Sequence, residues 1–235
     1  MFYRDRVHPL KLFPAPPAGT TRESSWPAGL AVLVAIAFFW TLPDRFTPLP
    51  AVLGVVLELI LLLVLIAFAP HRHRAVERWK RALVMIVIGC ITISNTASLW
   101  LLIQDLLVRS SPLRGSELIG SAVAIWGTNV IVFALWFWEL DRGGPDARAA
   151  ADDDPTKATF PDFQFPQMEN PSLARQGWRP KFFDYLYVAF TNGTAFSPTD
   201  AMPLSHWAKL LMMAQSGVSL LVIVLVTARA VNVLS

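Results

Sequence analysis

The chain has 235 residues, of which 54% are hydrophobic and only 16% are charged, and its formal net charge is +3. Ordinary soluble domains carry about 25% charged residues, so this composition argues against a water-soluble domain and indicates a membrane protein. Lys and Arg do not alternate with aromatic residues in a nucleic-acid-binding pattern, so we expect no nucleic-acid partner. The single cysteine, Cys90, excludes an intrachain disulfide.

The first 26 residues are polar and rich in proline, which predicts a cytoplasmic tail or surface arm. Residues 27–140 then predict a four-helix transmembrane region, with apolar runs at 27–42, 51–69, 82–107 and 117–140. The first run is short for a bilayer, which needs about 20 residues. Because a long polar tail precedes it and further spans follow, we interpret it as a retained helix and not as a signal sequence.

A hydrophilic insert, residues 141–181, separates the fourth span from the end of the chain. Its first half contains Gly143, Gly144 and an acidic run, and we expect it to be a flexible linker. Its second half, FPDFQFPQMENP, is aromatic, and we expect it to lie along the membrane surface or to cap a neighbouring pore.

The distribution of positive charge predicts the orientation of these spans. Nine Lys and Arg residues lie in the N-terminal tail and the linker 70–81, against three in the two short loops on the other side. The positive-inside rule therefore predicts a multi-pass protein of the cell membrane whose N-terminus is cytoplasmic. By alternation of spans, the insert would share that side.

Residues 182–235 form the most informative segment. A short amphipathic stretch leads through a polar turn into a long apolar helix, and residues 182–198 are only marginally long enough for a full crossing. We predict an all-α integral membrane protein with about five transmembrane helices plus a re-entrant pore helix and filter-like loop. Non-helical backbone in a bilayer needs shelter by protein or a water-filled cavity, so such a loop indicates a conduction or binding site.

This segment resembles the pore domain of the potassium-channel superfamily, in which an aromatic pore helix leads to the filter TVGYGD and a D-x-x-P pair closes it. Asp200 and Pro203 match that pair, Thr194 matches the threonine before the filter, and Tyr187 matches the pore-helix tyrosine. The resemblance covers about a quarter of the chain. The whole layout also resembles a family of uncharacterised bacterial integral membrane proteins with a basic linker and a terminal D-F/Y-L-Y segment, which implies a fold and no activity.

The filter itself departs from the family pattern, because AFSPTD stands in place of TVGYGD. Filter glycines let successive carbonyl groups face a dehydrated ion, and both are missing here. Pro198 moreover fixes its own backbone and removes an N–H donor. We therefore do not predict potassium selectivity, and the permeant ion stays open. The residues predicted to form the constriction are Thr194, Ala195, Phe196, Ser197, Pro198, Thr199 and Asp200.

The last helix carries a stripe that is polar at both ends and apolar in the middle. Its members fall within about 80° of one another on a helix: Gln215, Ser219, Val222, Val226 and Arg229. The stripe suits a pore wall with a hydrophobic constriction, and it equally suits helix packing with a snorkelling arginine. Gly217 lies about where the family has its hinge glycine. Because one hairpin cannot enclose a conduit, the resemblance implies a homo-tetramer in the lipid bilayer.

Two alternatives to an ion-channel-like pore stay open. Loss of the filter glycines favours a non-conducting membrane scaffold or partner-binding subunit that retains the channel fold. A solute transporter would use Glu58 and Asn95, since an ionisable side chain inside a span is costly and usually paired or functional. The sequence shows no catalytic motif and no metal-ligand spacing, so we expect neither an enzyme nor a cofactor.

Overall fold

The protein is described from a computed structural model that covers residues 23–48, 74–107, 115–170, 177–194 and 200–234, with isolated positions between these ranges. Most of the second predicted span, 51–69, lies outside the described residues. The described elements, in chain order, are α1 (Trp26–Thr41), a 3-10 turn (Asp44–Phe46), α2 (Arg74–Leu107), α3 (Gly115–Leu140), a 3-10 turn (Asp141–Gly143), α4 (Pro145–Asp153), a 3-10 turn (Pro155–Lys157), β1 (Phe163–Gln164), α5 (Pro166–Glu169), α6 (Phe182–Thr194), β2 (Met202–Pro203) and α7 (His206–Leu234).

The described chain is mostly helical, as predicted, and α2, α3 and α7 are long and apolar enough to cross a membrane. α1 is apolar but shorter. α2 begins at Arg74, inside the basic linker that the sequence analysis placed between spans. Charged residues are good helix formers, so the helix continues where the hydropathy does not. These helices indicate a membrane localisation.

α3 is the central helix and packs against α1, α2, α6 and α7. A small residue permits its close approach to α1, since a Cβ added at Gly127 would overlap the ring of Phe38. Small residues allow helix backbones to come together without polar contacts, which suits a bundle in an apolar solvent. α3 therefore supports the two C-terminal helices, α6 and α7.

The bundle has two distinct ends. At one end, which we call the cap end, the residues just before α1 contact the end of α3, because the indole of Trp138 donates to Glu23. At the same end, the guanidinium of Arg81 on α2 donates to the carbonyl of Glu139 on α3. At the opposite end, Arg45 pairs with Glu117 at 2.6 Å. The starts of α1 and α2 and the end of α3 thus share the cap end, as the alternation of spans predicts.

The first half of the insert, which the sequence analysis expected to be a flexible linker, forms a tight turn followed by a helix. Positive φ angles at Arg142, Gly143 and Gly144 turn the chain sharply after α3, and Pro145 then starts α4, because its fixed φ suits the first helical position. The buried guanidinium of Arg148 donates to the carbonyl oxygens of Trp138 (2.8 Å) and Asp141 (2.9 Å). These bonds to α3 and the turn after it, which local composition does not reveal, hold the helix in place.

The aromatic second half of the insert covers the cap end. Phe163 packs on Phe137 of α3 with ring centroids 5.0 Å apart, and Phe165 packs edge-on against Tyr185 of α6 at 5.5 Å. Phe163 and Phe165 are buried, whereas Phe160 is exposed. This part of the insert is therefore an ordered cover over the ends of α3 and α6.

Candidate functional site

The first arm of the C-terminal hairpin is α6, which begins at the cap end and stops midway along α3. At its start, the hydroxyl of Tyr185 donates to Asp141 at 2.5 Å. At its other end, the indole of Trp126 donates to the carbonyl of Gly193 at 3.1 Å, and Gly193 lies beside Val130. With 13 residues, α6 is about 20 Å long, which is shorter than the hydrocarbon layer of about 30 Å.

After α6 the chain is next found back at the cap end. β2 pairs antiparallel with β1 of the insert, with Phe163 opposite Pro203. The amide of Leu204 also donates to the carbonyl of Asp162 at 2.8 Å. The start of α6 and β2, which stand on the two sides of residues 195–199 in the chain, therefore lie at the same end of the bundle.

Most of the predicted filter, residues Ala195, Phe196, Ser197, Pro198 and Thr199, lies outside the described residues. Thr194 ends α6, and its hydroxyl donates to the carbonyl of Thr191 at 2.8 Å. Asp200 is exposed and lies two residues before β2. The two described members of the predicted filter are thus the residues that adjoin 195–199 on either side.

A network of amide side chains joins α6 to α7. Gln215 of α7 donates to the carbonyl of Ala189 at 2.7 Å and accepts from Asn192 of α6 at 2.8 Å. Asn192 also donates to the carbonyl of Met212 at 3.0 Å. Each of these contacts is short and well within hydrogen-bond range, so the network fixes the register of α6 against α7.

The same network fastens the hairpin to α3. The amide of Asn129 donates to the hydroxyl of Ser219 at 3.0 Å and to the carbonyl of Gln215 at 3.2 Å. Gln215 and Ser219 are fully buried. The sequence analysis missed Asn129 and Asn192. For Asn129 the available signal was an amide residue in the middle of an otherwise apolar span, where a partner is needed.

The predicted stripe on α7 therefore lies on the face that packs within its own chain. Gln215 and Ser219 bond to α3 and α6, and Val222 is buried in an apolar cluster with Ile125. Val226 is half-buried against the same cluster, and the side chain of Arg229 lies outside the described residues. Gly217 is exposed within a continuous helix, and a Cβ there would meet no atom within 4 Å. These contacts agree with the interpretation of the stripe as a helix-packing face.

The outward face of α7 has a different character. Between Leu210 and Val224 its exposed residues are all apolar: Leu210, Met213, Ala214, Gly217, Leu220, Leu221 and Val224. A surface of this kind suits lipid or another apolar protein surface, since it offers no group to replace the water around an ion.

Of the two residues that a solute transporter would use, the structure describes only one. Glu58 lies outside the described residues, whereas Asn95 is buried and donates to the carbonyl of Ile125 on α3 at 3.2 Å. That contact is a helix-to-helix bond of the kind that stabilises membrane bundles. The transporter alternative stays a prediction.

The cap end contains a second polar cluster, centred on Asp141. Its carboxylate is fully buried and accepts from the hydroxyl of Tyr185, from the amide of Asp162 at 2.7 Å and from Nε of Arg142 at 3.0 Å. One side chain thereby links α3, α6 and the insert. A buried carboxylate is tolerated in such a place because donors surround it.

The acidic run of the insert leads into a 3-10 turn in which Thr156 and Lys157 are exposed. Hydrogen bonds from Lys157 and Thr156 hold the pKa of Asp154 at about 2. Within the described ranges, no three His, Cys, Asp or Glu side chains converge on a point where a metal ion would bind.

In the part of the chain that the structure describes, fold and site define a helical bundle with three helices long and apolar enough to cross a membrane, and α6 and α7 are bonded to the central helix. Comparison with protein-family models, with curated proteins and with solved structures finds no match for this chain.

Proposed function

We propose that this chain is a multi-pass membrane protein in which a channel-like hairpin is locked onto its own bundle and serves as a scaffold or partner-binding subunit without conducting ions. The observation that carries the proposal is the burial of Gln215, Ser219 and Val222 inside one chain. These residues are committed to α3 and α6, so they do not line a lumen shared between chains. The exposed face of α7 that remains is apolar, and an apolar constriction excludes ions by dewetting.

Embedding in a bilayer is supported by exposed tryptophans at both ends of the bundle. Trp26 and Trp207 begin α1 and α7 at the cap end, whereas Trp40 ends α1 at the opposite end. Amphipathic indole rings favour the interface between membrane and water. The hairpin path of α6 and its length of about 20 Å further support a re-entrant segment.

The second candidate function is conduction through a homo-tetramer. It is favoured by one observation, the return of residues 182–203 to the same end of the bundle, which is the path of a pore hairpin. In this case the turn between Thr194 and Asp200 would face the shared axis, and the permeant ion would be one that does not require a glycine filter.

Ion flux from liposomes separates the two candidates. With the full chain reconstituted, we expect efflux of a panel of monovalent and divalent cations and of anions to match protein-free liposomes, since the polar side chains of Gln215 and Ser219 are buried within one chain. An ionophore added at the end verifies that the vesicles are intact. Flux that depends on the protein and changes with Thr194→Val would establish conduction and overturn the scaffold proposal. A strictly monomeric particle by mass measurement, with no flux, would rule out the tetramer and the conduit together.

The cap end is proposed to face the cytoplasm, since the basic N-terminal tail and the basic linker adjoin it. The hairpin would then enter from the cytoplasmic side, whereas potassium-type channels present theirs to the outside. We expect Thr156→Cys, an exposed site in the insert, to react with a membrane-impermeant thiol reagent only from the cytoplasmic side in a Cys90→Ser background. Labelling from the outer side of intact cells would reverse the orientation.

A further inference from the structure

One acidic side chain outside the bundle contacts three separate parts of the cap end. Glu23 lies three residues before α1, and its side chain is only 14% exposed. Its Oε1 accepts from the indole of Trp138 at 2.7 Å and from the main-chain amide of Phe182 at 2.9 Å, and its Oε2 accepts from the guanidinium of Arg148 at 3.0 Å. The segment before α1 is thereby tied to α3, to α4 and to α6.

The contact with Phe182 has the greatest consequence, because Phe182 is the first residue of α6. The first N–H groups of a helix have no acceptor within the helix, and a carboxylate near them also interacts favourably with the helix dipole. Here the acceptor comes from 159 residues earlier in the chain. The first arm of the hairpin is therefore capped by the N-terminal segment.

Glu23 also neutralises a buried positive charge. The guanidinium of Arg148 is held by the carbonyl groups of Trp138 and Asp141, which carry no net charge, and Glu23 supplies the opposite charge at 3.0 Å. Removing one partner of a buried ion pair leaves the other charge less well compensated, and here the electrostatic interaction of Arg148 with Asp141 would remain. Loss of Glu23 would loosen α4 and the first turn of α6 together.

We infer that Glu23 is a latch through which the segment before α1 sets the position of the hairpin. Because the contact lies three residues before α1 and reaches the first N–H of α6, a displacement of residues 23–25 would be transmitted to the first turn of α6. The inference does not rest on whether the hairpin conducts, since its readout is the local opening of α6 and not flux.

Amide hydrogen exchange of the full chain in lipid nanodiscs tests the latch. In Glu23→Ala we expect the amides of Phe182–Thr194 to exchange about tenfold to hundredfold faster, the range for loss of a hydrogen bond to a charged group. The amides of α2 keep their rates. Glu23→Gln retains an acceptor oxygen but not the charge, so it gives an intermediate increase.

Glu117→Ala is the matched control, because it removes a carboxylate paired with Arg45 at the opposite end of the bundle. It should leave the exchange of α6 unchanged. If Glu23→Ala does not fold, Glu23→Gln and Trp138→Phe, which removes one donor to Glu23, provide the same comparison. Unchanged exchange in α6, or an equal increase in α2 and α6, overturns the latch.

Discussion

Replacing Asp141 by Ala is expected to destabilise the protein by about 3–5 kcal/mol, as when one partner of a buried ion pair is lost. The carboxylate is fully buried and accepts three hydrogen bonds, from Tyr185, Asp162 and Arg142, so each of these donors loses this acceptor in the variant. Thermal or urea unfolding of the purified protein in detergent micelles would measure the loss, with the midpoint falling well below that of the wild type.

Two variants distinguish the loss of these hydrogen bonds from the loss of a carboxylate that makes no such bonds. Asp44→Ala removes an exposed carboxylate at the opposite end of the bundle and should change stability by less than about 0.5 kcal/mol. Tyr185→Phe removes one of the three donors and should cost about 1–2 kcal/mol. Because both changes break the same bond, the double variant should be hardly less stable than Asp141→Ala alone. Equal midpoints for Asp141→Ala and Asp44→Ala would contradict the central position of Asp141.

Replacing Gln215 by Leu is expected to loosen the packing of α6 on α7 at a cost of about 1–3 kcal/mol, because the amide of Asn192 loses one of its two acceptors on α7 and the carbonyl of Ala189 loses a donor. Leucine has nearly the same size, so the effect reports the hydrogen bonds and not a cavity. Faster amide exchange throughout α6, together with a lower unfolding midpoint, is the expected measurement.

Met213→Leu is the control for this change, since Met213 lies on the exposed apolar face of the same helix. It should leave both stability and exchange unchanged. A pore-lining role for Gln215 predicts a different pattern, in which Gln215→Leu alters flux while the exchange of α6 stays at the wild-type rate. That pattern would contradict the locked hairpin.

Helix positions were largely predictable from the sequence because a helix satisfies its backbone groups locally. The predicted runs 27–42 and 117–140 agree closely with α1 (Trp26–Thr41) and α3 (Gly115–Leu140). Hydropathy does not detect a helix whose residues are charged, so the sequence analysis predicted a run from residue 82 and missed the start of α2 at Arg74. It also failed for α4, whose polar sequence is held in place by the contacts of one buried arginine.

The C-terminal segment shows which features local periodicity determines and which features depend on contacts with residues distant in the chain. The sequence by itself determined that residues 182–194 are short and amphipathic, that a long apolar helix follows, and that Gln215, Ser219 and Val222 share one face of it, since all of these depend on local periodicity. Whether that face is open or covered depends on residues far away in the chain. Asn129, 86 positions before Gln215, and Asn192, 23 positions before it, supply the partners that bury the stripe. Only the tertiary structure decided this, because periodicity identifies the residues on a face and not the helix that packs against it.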